Sequence, residues 1–275
     1  MPASIWDHVL AHDLEVPTDR PLDELTTELT IMLGSADAHR RDETALRVLA
    51  TWIRRGVYDD LLAGLGDGMV AGLAIGLGEV GTDTVFRRSC SALVLAVCLD
   101  RNLEVAELSP EKVLEWGDRL TGWFVREQDL RGWVPGKGRA HAIAHGADAV
   151  GALGRSPGLG VNELTVLLDV LADRILATTE QRLVHGEPDR LAVATLEILG
   201  RDLVPLSVLE PWVARIGASA GGHDETAIGF NAHACLRALH LHLTLGRRHP
   251  AVRADLVLAL VDVLRDLNAA YFDAH

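Results

Sequence analysis

Apolar residues recur at three- and four-residue spacing through most of the chain, and strict apolar–polar alternation is scarce. The clearest helix opens at Ser109-Pro110-Glu111, which supplies an N-cap, a first-turn proline and an acid against the positive helix end. Val113, Trp116, Leu120, Trp123 and Phe124 then form one buried stripe. Thr82-Asp83-Thr84 opens another helix before Phe86 and Leu93. Asp224-Glu225-Thr226 opens a third, with Ile228, Ala232, Leu236, Leu239 and Leu243 on its core face. Pro250 stands near the start of a last helix that ends around Tyr271.

Turn residues separate these blocks at Gly56, Gly78–Gly81, Glu107–Pro110, Gly132–Gly136, Ser156–Gly160, Gly186–Pro188, Pro205 and Gly221-Gly222. No linker is long or rich in Gly and Ser, so residues 1–275 are expected to form a single all-helical, repeat-like domain. The segments near Asp83–Arg101, Lys137–Arg155, Glu187–Arg201 and Glu225–Gly246 each begin polar and continue through Ala- and Leu-rich turns. Units of roughly 40 to 50 residues match stacked antiparallel helix pairs, a HEAT/ARM-like α-solenoid, with an α/α toroid as the alternative.

Composition supports helices over sheets, being 48% hydrophobic but only 4% aromatic. A formal net charge of −13 argues against sequence-independent binding to a phosphate backbone, so no nucleic-acid partner is expected. Cys90, Cys98 and Cys235 form no CxxC pair, which fits a reducing compartment. The N-terminal stretch carries Asp7, Asp13 and Glu15 and is no signal peptide. The longest uncharged stretches, Gly68–Gly78 and Ser89–Leu99, are too short to span a bilayer. A cytoplasmic protein with no membrane partner and no cofactor is the expectation.

The candidate chemistry lies between Gly132 and Asp148. If Lys137 or Gly138 begins a helix, Lys137, His141, His145 and Asp148 fall within an arc of about 80° on one face. Ala140, Ile143, Ala147 and Val150 then take the opposite, close-packing face. Three chemistries fit. His141 and His145 at i and i+4 could ligate a metal with Asp148, although no HExxH glutamate accompanies them. Lys137, the amides after Gly136-Lys137-Gly138 and the helix dipole could bind a phosphate or carboxylate. A histidine could act as general acid or base with Asp148 fixing its tautomer. Against all three stands the plainer account, a solvated or internally hydrogen-bonded polar face.

In stacked pairs, polar groups early in the inner helices would converge on the same concave surface. Arg87 or Arg88, Arg190, Asn231 with His233, and His223-Asp224-Glu225 are the residues so placed, while Arg88 and Arg190 could equally pair with Asp83 and Glu187. Trp133, in the loop entering the segment, could cover a ligand; the other tryptophans fit as packing anchors. Gly76-Leu77-Gly78-Glu79-Val80-Gly81 matches GxGxxG but lacks a preceding strand, so it is a helix exit and turn. His240 and His242 point to different faces of one helix. P-loop and zinc-finger spacings do not occur.

The run Gly136–Asp148 resembles the signature of a bacterial family known as domain of unknown function 2785. Asp83-Thr84-Val85-Phe86-Arg87-Arg88-Ser89 is similar to that family's upstream pattern, and Glu187-Pro188-Asp189-Arg190-Leu191-Ala192 to a downstream one, a likeness running from about Arg41 to about Gly246. Arg139 departs from the pattern by standing where a tryptophan would follow the second glycine; Lys137, His141, His145 and Asp148 match. The resemblance implies a helical fold and the location of a site, and no activity. The expectation is a helical-repeat binding protein for a small, anionic ligand or a peptide, with Lys137, His141, His145, Asp148, Arg88, Trp133, Arg190 and Asn231 at the site. A metal-assisted or histidine-based hydrolase or lyase using His141, His145 and Asp148, and an interaction scaffold, are the alternatives.

Overall fold

The computed structural model of the chain describes residues 5–221, 226–247 and 249–272. Among them the chain forms thirteen α-helices and one two-stranded hairpin, so the all-α expectation holds. Two compact units divide it, residues 1–149 and 150–275. No helix of the described residues is long and apolar enough to cross a membrane.

In the first unit, α1 (Ile5–Ala11) and α2 (Leu22–Met32) precede a π-helical segment, His39–Leu46, that runs on into α3 (Arg47–Arg54). A short 3-10 turn leads into α4 (Leu62–Leu73), followed by α5 (Thr84–Val105) and α6 (Pro110–Arg126). Helix α5 is the spine. It is buried on nearly every side, from Val85 and Phe86 through Leu95 to Leu99, and it packs against α3 and α4. Ser109 caps α6 as expected, accepting from the Lys112 amide at 3.2 Å, and all five residues of the predicted stripe are buried. The GxGxxG stretch is indeed a turn between α4 and α5.

Helix α7 (Ala142–Gly154) contains the division between the units. In the second unit α8 (Val161–Leu176), α9 (Glu187–Leu199), α10 (Leu206–Ala220), α11 (Ala227–Leu245), α12 (Arg253–Leu267) and α13 (Ala269–Phe272) follow. Here α11 is the spine, touching α8, α9, α10 and α12. Thr226 caps it through the Gly229 amide at 3.0 Å; His223, Asp224 and Glu225 lie outside the described residues. The expected last helix breaks at Asn268, whose side chain turns back to the Leu264 carbonyl at 2.6 Å.

The tryptophans behave as the periodicity implied. Trp6, Trp52, Trp116, Trp123 and Trp212 are buried, and each indole N–H has an acceptor, such as the Leu14 carbonyl at 2.7 Å for Trp52. All three cysteines are free and buried, and burial pushes the thiols of Cys90 and Cys98 up to about 12 and that of Cys235 higher still. Thiolate is therefore nearly absent at mildly alkaline pH. The native protein is expected to react with no Ellman's reagent over an hour at pH 8 and with three equivalents once unfolded. A fast native equivalent would show that one of these thiols is open to solvent.

Candidate functional site

The largest departure from the sequence expectation lies in the site segment. Residues 137–141 are not helical. Val134-Pro135-Gly136-Lys137 forms a tight turn closed by the Lys137 amide on the Val134 carbonyl at 3.0 Å. Proline sits at its second position and Gly136, at φ 74°, at its third, the arrangement a type II turn requires. The turn joins β1 (Trp133–Val134) to β2 (Gly138–Arg139) in antiparallel register, pairing Trp133 with Arg139. Two further bonds, Ala140 N–H to the Gly132 carbonyl and His141 N–H to that of Arg131, carry the pairing to the foot of α7. Lys137 is thus a hairpin-turn residue, and the four-residue helical stripe becomes three: His141 at the helix entry, His145 and Asp148.

Two clamps hold the hairpin. Arg41, fully buried and stacked 4.2 Å from the Phe86 ring centroid, donates to the Lys137 carbonyl at 2.9 Å. The Lys137 ammonium in turn donates to both carboxylate oxygens of Asp83, at 2.7 and 2.8 Å, just before α5. The side chains of this ion pair remain 41% and 44% exposed, so it is worth about 0–1 kcal/mol and a competing anion can open it.

His141 adopts φ 50°, a left-handed backbone that costs a non-glycine residue roughly 1–3 kcal/mol. Its carbonyl receives the first amide bond of the α7 entry, from His145 at 2.9 Å. The two imidazoles meet edge to face with centroids 5.7 Å apart, and both are half-buried, as is Asp148. Beneath them, Ser89 of α5 is fully buried with its hydroxyl 2.8 Å from His145 Nδ1. That contact fixes the ring and turns Nε2 away from the hydroxyl. Helix α7 seats against α6 at Gly146, where a Cβ would lie 2.4 Å from the Phe124 ring.

Arg88 lies elsewhere. It is 0% exposed and forms a two-pronged ion pair with Glu127 (2.5 and 2.9 Å) rather than with Asp83. A third nitrogen binds the Ile75 and Gly76 carbonyls and the Thr84 hydroxyl. Glu127 also accepts from the Trp123 indole and from the amides of Gln128 and Asp129. Asp129 holds the Gly81 amide at 2.9 Å and Arg131, raising the guanidinium above its ordinary pKa against the opposing effect of burial. Arg131 reaches the Thr82 carbonyl at 2.7 Å. Two buried acids and two arginines therefore pin the 74–83 loop to the segment that leads into the hairpin. Glu79 within that loop is held below the usual carboxylate range by the Thr82 and Thr84 hydroxyls. Neighbouring Arg87 is half-buried, donates to the Thr30 carbonyl, and has its pKa lowered by burial.

Of the remaining candidates, all but Trp133 belong to the second unit. Asn231 is 1% exposed; it accepts from the Leu183 amide at 2.8 Å and donates to the Gln181 carbonyl at 3.1 Å, tying that loop to α11. His233 is buried beside Asn268 at 3.1 Å. Arg190 is exposed in the first turn of α9. Trp133 is 53% exposed on the hairpin, opposite Arg139. Among the described residues no three His, Cys, Asp or Glu side chains group as metal ligands, His141, His145 and Asp148 included.

Asp83, Arg88 and Ser89 all come from one seven-residue stretch, and two of them bind residues of the Gly136–Asp148 run. Those stretches fall within the region, residues 73–241, that matches the family model described as a protein of unknown function, DUF2785. The chain belongs to that family. No curated protein and no solved structure matches it.

Proposed function

We propose that the chain is a binding protein whose His141–His145 face, at the entry to α7, takes a small anionic ligand. The observation that carries this reading is the Ser89–His145 hydrogen bond, which spends buried polar chemistry on orienting a half-exposed imidazole. Three features support it: the strained backbone at His141, the positive end of α7 that begins at the next residue, and the Lys137–Asp83 pair that an anion can open. Trp133 and the stacking of antiparallel helix pairs into a solenoid belong to the same proposal, as does a cytoplasmic setting without nucleic-acid or membrane partners, for which the net charge of −13 and the free cysteines speak. Arg88 and Asn231 enter it only as struts, because their polar atoms are engaged within the protein.

A second reading rests on the same Ser89 contact. With Nδ1 fixed and Asp148 one turn further along the helix, His145 Nε2 is oriented as a general acid or base would be. His141→Gly separates function from framework. Glycine accepts φ 50° without penalty, so the variant should melt within a few degrees of wild type. An anion screen of phosphate, sulfate and di- and tricarboxylates should raise the wild-type melting temperature by about 5–10 °C near saturation, and this shift should vanish in His141→Gly. A variant that is strongly destabilised, with no anion shifting the wild type, would instead make the polar face part of the framework.

A further inference from the structure

The second unit carries a cleft of about 720 Å³ formed by the first turn of α9, the middle of α11 and the α12–α13 corner. That is the size of a small-molecule site. Ala234 and Ala238, four residues apart on α11, keep its lining shallow and apolar. Tyr271 and Phe272 of α13 border it while 67% and 64% exposed, a pair of aromatic rings with no core to enter. Two cleft nitrogen groups stand within one turn of α11, Arg237 and His240, and neither side chain has a partner among the described residues. Two other polar side chains of the lining are engaged. Asp189 accepts from His242 at 3.0 Å, and the Asn268 amide binds the Leu264 carbonyl and His233.

We infer that this cleft binds a small carboxylic acid with an aromatic or alkyl body. The carboxylate is received by the planar fork of Arg237, with a second donor from His240. The apolar body lies along Ala234 and Ala238 and against the rings of Tyr271 and Phe272. Two open donors within one helical turn suit a single anionic head group, and the small residues beside them suit a flat or slender tail.

The test is calorimetric titration of the full-length protein with 2-naphthoate, octanoate and the uncharged 2-naphthol. The expected result is saturable binding of one 2-naphthoate per chain. Arg237→Ala should weaken 2-naphthoate by about tenfold or more, the scale of a lost charge-assisted bond, and leave 2-naphthol unchanged. Phe272→Ala should weaken both. Arg237 and Phe272 are exposed, so both variants should melt with the wild type. His141→Gly should bind 2-naphthoate as wild type does, which keeps this cleft separate from the α7 face. Absence of saturable binding overturns the inference, as does binding that Arg237→Ala and Phe272→Ala leave intact or that His141→Gly abolishes.

Discussion

Glu127→Ala is expected to destabilise the first unit by about 3–5 kcal/mol, enough to lower its melting temperature by roughly 10 °C or to prevent soluble expression. The size follows from what is left behind rather than from the pair's net worth. Arg88 would remain a guanidinium with no exposure, stripped of its ion-pair partner, while the Trp123 indole and two backbone amides would lose their acceptor. Replacing both members with apolar residues of similar volume, Arg88→Met with Glu127→Leu, should recover part of the loss. Calorimetric melts of the single and double variants check this. A Glu127→Ala protein melting within two or three degrees of wild type would mean that Arg88 finds solvent or another acid.

Gly146→Val should cost about 2–3 kcal/mol and should disturb the histidine pair as well. Already at Cβ the new side chain would sit 2.4 and 2.5 Å from two atoms of the Phe124 ring and 3.1 Å from Trp123, and Phe124 is fully buried. Helix α7 must then lift from α6, taking His145 away from Ser89. Gly122→Ala is the control, since a Cβ there meets nothing within 4 Å and should stabilise α6 by up to about 1 kcal/mol. Phe124→Leu in the Gly146→Val background should restore part of the stability, a coupling that a double-mutant cycle measures. Equal, small effects at both glycines would contradict the close approach of α7 to α6.

The helices were legible because each repeats a local rule. The α6 stripe and the Ser109 cap depend only on residues within a few turns of one another. The hairpin at Trp133–Arg139 was hidden by its neighbour: the Ala-rich period of α7 extends backward through Ala140, although Val134-Pro135-Gly136 carries a turn signature of its own. His145 and Asp148 lie one turn apart on α7 as their spacing predicts, whereas His141 stands just outside the helix. The groups that hold them were not legible. Ser89 lies 56 residues from His145, Glu127 39 from Arg88, and Arg41 96 from Lys137, and periodicity does not say which distant acid or hydroxyl meets which base. The seven-residue stretch from Asp83 to Ser89 held the only hint, since it resembles a family pattern with no visible reason in its own helix period.

Nitrogen-15 NMR of the imidazoles during an inorganic phosphate titration tests the central claim most directly. The account predicts that the ring nitrogens of His141 and His145 shift together along one saturable curve, while the buried His233 in the second unit does not move with it. It also predicts that Ser89→Ala, which frees His145 Nδ1, weakens binding while leaving the His141 signal responsive. Phosphate, sulfate and tricarboxylates that all leave both rings unmoved would contradict the proposal that this face is a binding site.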